Sequence, residues 1–353
     1  MSGGEIGLLS FCCLGYCHAK YLSDAIGSIR KVEYDLIEVI VVDDGSKDDS
    51  VSMLNAIAAS VPFKMTVLAQ ENTGNIGLNF NRALQLAKGE FVAFLSLDDI
   101  YNPAVILSHI KSMVADPSLA FIASSKTVSV NDEGFVTEKA GQLKLSGSDI
   151  SGISDLLELE YSEFGSFFIQ SAIFRKEIVD AVGGFDEDMT GDDIVLRTKI
   201  FRYLDEHRRY SFKVLGNNSF FYRLHANNVH RDFPRQFKTV TQYLSRYWPD
   251  RESPSILVGW ICSYVKDHQF EDYISIFGVN ERASLLLMHS DVKKAIIQSL
   301  REEFGVVGML SNKLYKRVKL GSDVRCVTLF GFIKIKYKRV TKKQRLMRHY
   351  SSY

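Results

Sequence analysis

The sequence predicts an α/β protein built on an open, mostly parallel sheet covered by helices on both faces, and three observations predict it. Short apolar, β-branched runs alternate with segments of helical spacing, the gaps between them are short, and two of the runs end in paired aspartates, Asp43-Asp44 and Asp98-Asp99. Ligands of such sheets sit beyond the carboxyl ends of the strands, which is where those acids fall.

Taken in order, Ile6 to Cys13 is almost wholly apolar, and "LIEVIVVDD" (Leu36 to Asp44) is a second buried strand. Further runs of this kind are "MTVLA" (Met65 to Ala69), "EFVAFLSL" (Glu90 to Leu97) and "LAFIAS" (Leu119 to Ser124). Between them the spacing predicts helices over Tyr21 to Arg30, Ser50 to Ala59, Asn79 to Lys88 and Pro103 to Ala115, the last with proline in its first turn. Beyond residue 160 the Gly183-Gly184 turn precedes a third acidic pair, Asp192-Asp193, which opens a helix from Ile194 to Leu204. Phe233 to Leu310 is helical throughout, and "VRCVTLFGFIKIKYKR" alternates apolar and basic residues around Gly331, as a short hairpin does. A boundary near Arg231 therefore divides a first domain (1–230) from a helical extension (231–310) and a basic tail (311–353).

Of the 353 residues 46% are hydrophobic, which excludes a disordered chain. The net charge of +1 conceals an asymmetry: residues 311 to 353 hold thirteen Lys/Arg against the single acid Asp323, leaving about −11 on the rest. Such an end suits an anionic membrane surface or a nucleic acid, or is simply a solvated tail. Cys12, Cys13, Cys17, Cys262 and Cys326 form no CxxC pair, so a disulfide framework or zinc site is not expected. No signal peptide and no run of about 18 apolar residues is present, and a cytoplasmic location is the expectation.

Three aspartate pairs brought together would repel one another without a cation. A divalent metal and a polyphosphate ligand resolve that tension, since Mg²⁺ and Mn²⁺ are held by one or two carboxylates plus phosphate oxygens. Any one pair is also an ordinary turn or N-cap signal.

In order along the chain, "GYCHAKYLSDAIGSI" (Gly15 to Ile29), "IEVIVVDDGSKDDS", "ENTGNIGLNFNRALQLAKGEFVAFLSLDD", "GGFDEDMTGDDIVLRTKIF" and "YRLHANN" (Tyr222 to Asn228) resemble the successive motifs of the inverting family 2 glycosyltransferases. That resemblance covers about two thirds of the chain and implies the GT-A nucleotide-diphospho-sugar transferase fold, here with a C-terminal helical and basic extension. The family pattern more often has Pro, Ser and Asn at Leu14, Gly15 and Cys17, an extra Asp at Ser96, and Glu-Asp at Asp192-Asp193.

The resemblance implies Mn²⁺ or Mg²⁺ at Asp98, Asp99 and His225, with one of the two aspartates ligating directly and the other touching ribose or sugar. It places Tyr16, Asp43, Asp44, Asn75, Asn81 and Asp98 against the nucleotide-sugar, Asp43 or Asp44 accepting from a uracil or thymine N–H. Asp193 is the expected general base of a single displacement, with Asp192 in reserve, and Arg223 is either a phosphate partner or a solvated side chain. A dinucleotide-dependent oxidoreductase is disfavoured because no GxGxxG follows the first strand. A sugar nucleotidyltransferase would carry an early basic, Gly-rich loop, and a non-catalytic carbohydrate-binding relative would have lost its acids; this chain does neither. The tail is similar to the ending of some bacterial transferases that build O-antigen or capsule repeats on a polyprenyl diphosphate lipid. It thus implies a lipid-linked saccharide acceptor at the inner membrane face, and no nucleic-acid partner. The bland alternative for that ending is a small packed hairpin.

Overall fold

The structure, a computed structural model, describes residues 4–137, 150–191, 193–226 and 232–309 and three strands within 315–338. It divides into two compact units, one of residues up to Glu160 plus Phe164–Arg231, the other of Tyr161–Glu163 and the chain from Asp232 onward.

In the first unit β1 (Glu5–Gly15), α1 (Leu22–Arg30), β2 (Ile37–Asp43), α2 (Ser50–Ala58), β3 (Lys64–Ala69), α3 (Ile76–Leu86) and β4 (Gly89–Ser96) follow the predicted alternation. Next come β5 (Ile100–Tyr101), α4 (Pro103–Ala115), β6 (Leu119–Ser124), β7 (Val128–Val130), α5 (Ile153–Ser162), β8 (Ala172–Arg175), α6 (Lys176–Ala181), α7 (Asp193–Glu206), β9 (Ser211–Leu215) and β10 (Phe220–Arg223). Helix α3 begins three residues before the expected Asn79, because the Asn75 side chain accepts from the Leu78 N–H and caps it.

The main sheet runs β3-β2-β1-β4-β8-β6-β9, parallel except for β8. From β1 the chain moves outward to β2 and β3, then returns to the other flank of β1 as β4, so the order reverses between β1 and β4. Register aligns Gly15 with Asp43 and Leu14 with Ser96, bringing the carboxyl ends of β2, β1 and β4 level at that crevice. Both faces of the sheet are covered, which is why the strands read as unbroken apolar runs. Leu9, Phe11, Val39, Val41 and Leu95 pack with α1 and α4, whereas Cys12, Ile40, Val42 and Phe94 pack with α3 and α7.

A second sheet of three very short strands pairs β10 antiparallel to β5 and parallel to β7. Its effect is to tie the segment just after Asp98-Asp99 to the segment just before His225.

The second unit holds α8 (Phe233–Tyr247), α9 (Ser255–Asp267), α10 (Phe270–Ile274), α11 (Glu281–Leu286) and α12 (Ser290–Met309). Buried Arg282 donates to the carbonyls of Leu244, Trp248 and Arg251, satisfying the end of α8. Strands β11 (Tyr315–Lys319), β12 (Val324–Leu329) and β13 (Ile333–Lys338) form an antiparallel meander. The hairpin expected around Gly331 is β12–β13, and β11 adds a strand the sequence did not announce. Among the described residues no helix is long and apolar enough to cross a membrane.

Candidate active site

The turn after β2 is built by its own acids. Asp43 accepts from the Ser46 backbone N–H and hydroxyl, and Gly45, at φ +79°, brings the chain so close to Asn72 that a Cβ there would lie 2.5 Å from its backbone N. Asp44 accepts from Gln70 Nε2 (3.0 Å), the Thr73 N–H (2.8 Å), the Thr73 hydroxyl (2.9 Å) and the Gly74 N–H (3.0 Å). Burial works against its ionisation, but those donors outweigh it and hold the carboxyl below the usual range.

After β4 the two aspartates part company. Asp99 is 1% exposed and accepts the Arg223 N–H at 2.9 Å. Burial and the neighbouring charge of Asp98 push its carboxyl well above the ordinary value, with Asp193 adding to the rise. Asp98 instead meets His225 Nε2 at 2.9 Å through Oδ2, while its Oδ1 is buried with no hydrogen-bond partner. Burial alone would raise the Asp98 carboxyl; the His225 hydrogen bond and the nearby His18 ring bring it below its usual value.

His225 is itself held in an aromatic stack. Tyr21 lies against it at 5.3 Å and 25°, and His18 meets it edge-on at 6.5 Å. The Arg223 guanidinium covers the Tyr21 ring at 4.8 Å, donates from Nε to the Asp98 carbonyl (2.7 Å) and from Nη1 to the Asp132 carbonyl (3.0 Å), and pairs through Nη2 with Asp24 at 2.8 Å. Tyr21 and Lys20 both donate to Asp132, closing this clamp over the turn after β7.

Asp193 stands in the first turn of α7, its Oδ2 accepting the Ile169 N–H at 3.2 Å and lying 3.5 Å from Arg197. Its charge is felt at Asp99, so it belongs to the same electrostatic neighbourhood.

A buried carboxylate with an open oxygen, a histidine beside it and a second buried acid next in the chain, at a sheet's switch point, suit a metal-bound polyphosphate. Residues 13–183 match the sequence model of glycosyl transferase family 2. That stretch is a glycosyltransferase family 2 domain.

A glycosyltransferase of Nostoc sp., itself uncharacterised, is 26% identical to this chain over 219 residues, 61% of the chain and 64% of its own length. Glycosyltransferase GlyG of Streptococcus pneumoniae serotype 4 is 36% identical over 91 residues, 26% of this chain and 30% of its own. The matches thus span less than two thirds of either relative. Of solved structures, S. aureus TarS residues 1-349 with UDP-GlcNAc shares the fold at TM-score 0.51 and 17% identity, over 95% of this chain and 100% of that one. Mannosyltransferase PcManGT of Pyrobaculum calidifontis, with GDP-Man and Mn²⁺, gives 0.50 and 15% over 86% and 87%. These likenesses establish the GT-A fold expected from the sequence.

The expected site residues separate. Asp98, His225 and Asp193 are brought to the crevice, and Tyr16, 45% exposed, stands at its mouth after β1. Asp43 and Asp44, expected to read the base, already have their carboxylates engaged by the chain's own donors. Asn75 and Asn81, expected to touch the nucleotide-sugar, hydrogen-bond the Glu187 and Phe185 backbone and fasten α3 to the loop before α7. Arg223 is not solvated: at 1% exposure it is an internal clamp. Asp192 lies outside the described residues.

Sequence reasoning gave no role to His18 and Tyr21 of the opening motif, which pack beside His225. The departure at Cys17 has a conformational meaning: its φ is +55°, a left-handed geometry that the family's more usual Asn tolerates better.

Proposed function

We propose that this chain transfers a sugar, with inversion, from a nucleotide-sugar to a hydroxyl of a glycan acceptor, with Asp98 and His225 as metal ligands and Asp193 as general base. The observation that carries the reading is the buried, unpartnered Asp98 Oδ1 beside His225. An orphaned carboxylate oxygen is costly unless a ligand completes it. Among the described residues no three His, Cys, Asp or Glu side chains form a cage of their own, which fits a hard cation that takes its remaining ligands from a diphosphate.

When bound, Mn²⁺ or Mg²⁺ neutralises charge on the departing diphosphate. The chain's own part is to hold that diphosphate in the crevice and to present Asp193 to the acceptor hydroxyl, whose proton its carboxylate takes. Asp99 is assigned to support: it anchors Arg223 and through it the Asp98 backbone. Donors to screen first are UDP- and GDP-sugars, the classes carried by the two fold neighbours. For the acceptor we favour a polyprenyl-diphosphate-linked saccharide of an O-antigen or capsule, reached at the inner membrane face through the basic end.

The test is a screen of UDP- and GDP-sugars for nucleoside diphosphate release and sugar transfer, with Mn²⁺ or with excess EDTA. Transfer is expected only with the metal, with an inverted anomeric centre by NMR, and Asp98→Ala is expected to lose about 100-fold or more. Undiminished activity in EDTA, or retention of configuration, overturns the reading.

A further inference from the structure

Helix α7 carries more than the base. Four residues along from Asp193, Arg197 is 4% exposed at its side chain and faces Glu160 of α5, which is 0% exposed. Arg197 Nε donates to Glu160 Oε1 at 2.8 Å and a terminal nitrogen donates to Oε2 at 3.1 Å, the two-pronged geometry that guanidinium and carboxylate favour. The Ser166 N–H and hydroxyl both donate to Oε1 as well, so the Glu160 carboxylate is held on several sides. The remaining guanidinium nitrogen reaches Asp193 Oδ2 at 3.5 Å, where the Ile169 N–H also arrives.

The arrangement is a chain of carboxylate, guanidinium and carboxylate, buried at one end and reaching the crevice at the other. Stability alone is a poor reason for it, since a buried ion pair is commonly no better than apolar residues of the same volume. The neighbourhood is also built around it. Arg197 packs over the Phe167 ring at 5.7 Å, a Cβ on Gly165 would lie 3.4 Å from its guanidinium, and Phe164 adopts φ +58°, uncommon for a bulky residue. The loop that fixes Glu160 also supplies, through Ile169, the second donor to Asp193.

The geometry points to Arg197 and Glu160 as positioning residues for the base, Glu160 fixing the guanidinium and the guanidinium fixing the Asp193 carboxylate toward the acceptor. This rests on the assignment of Asp193 as the base. A base misplaced by about 1 Å costs on the order of 100-fold in rate, so the effect belongs in kcat and not in donor affinity.

The experiment uses the full chain, the sugar nucleotide found active in the screen above, and Mn²⁺. For Arg197→Ala we expect kcat to fall about 10- to 100-fold, UDP affinity by calorimetry to stay within about twofold, and guanidinium ion at sub-denaturing concentration to restore much of the rate. A packing role alone would lower UDP affinity and melting temperature together and would not respond to guanidinium. Should Arg197→Ala not fold, Glu160→Gln carries the test: it keeps the shape, loses the charge, and is expected to lower kcat with UDP affinity unchanged. Wild-type kcat in the folded variant, or a loss that guanidinium does not restore in Arg197→Ala, overturns the proposal. Asp193→Asn in the same assay separates the two readings. If it transfers at the wild-type rate the base assignment fails; if it is inactive while the Arg197 or Glu160 variant keeps full kcat, the positioning role alone fails.

Discussion

Asp44 shows how much a single carboxylate can organise. Its four donors come from the strand β3 end and the loop that leads into α3, so the charge fixes the wall of the crevice beside β2. An asparagine there can accept at one atom only and would set an N–H against the Gly74 N–H or the Thr73 N–H. Asp44→Asn is therefore expected to cost about 1–3 kcal/mol at neutral pH. The pH dependence follows from the depressed folded pKa. Ionised Asp44 stabilises the fold at pH above its unfolded value of about 3.9, and that contribution is lost as pH falls through the lower folded value. The penalty of the variant should accordingly shrink on acidification below about pH 4, as read by urea titrations at pH 7 and pH 3. An equal penalty at both would show that charge is not what holds the loop. In the sequence Asp43-Asp44 and Asp98-Asp99 are indistinguishable pairs. The difference arises from partners distant in the chain, Thr73 for one and Arg223 and His225 for the other, and a motif does not contain them.

At the scale of elements, the long strands and helices were legible because their signal is periodic and each is covered by the core on a known face. The small sheet was not. With two residues in β5, three in β7 and four in β10, no period can be read, and these strands exist only because tertiary pairing brings them together. Yet this sheet sets the site, since it delivers Arg223 and His225 to the end of β4. Arg223 joins α1 through Asp24, the turn after β7 through Asp132 O, and β4 through the Asp98 carbonyl and Asp99. A lysine has no fork with which to reach three of these at once. We expect Arg223→Lys to lower stability by about 2 kcal/mol or more, allowing for the half-exposed Asp24, and to weaken Mn²⁺-dependent UDP binding at least about tenfold. Urea titration and calorimetry check the two. Unchanged metal-dependent affinity in a destabilised variant would confine Arg223 to folding.

Over the whole molecule the charge is divided, with about −11 on the first 310 residues and thirteen Lys/Arg against one acid beyond them. That end is not featureless: the meander aligns Lys316, Thr328 and Lys334 in one row across three strands, and along β13 Lys334, Lys336 and Lys338 alternate with Ile333, Ile335 and Tyr337. Pairing register thus gathers basic positions that the sequence spreads over more than twenty residues. A basic sheet row on an otherwise acidic chain fits an anionic bilayer, where each cation contributes up to about 1 kcal/mol near the surface. Such binding would concentrate the chain where a lipid-linked acceptor is found without altering the chemistry at Asp98. Replacing Lys334, Lys336 and Lys338 together by Ser in the full chain should weaken partitioning onto phosphatidylserine-containing vesicles by about 100-fold, from three such contributions. High salt should release the wild type, because surface charges are screened over roughly 10 Å at 0.1 M. Donor turnover in solution should be unchanged by the same three substitutions. A triple variant that sediments with the vesicles as the wild type does would reduce the meander to a packed hairpin with a solvated basic surface.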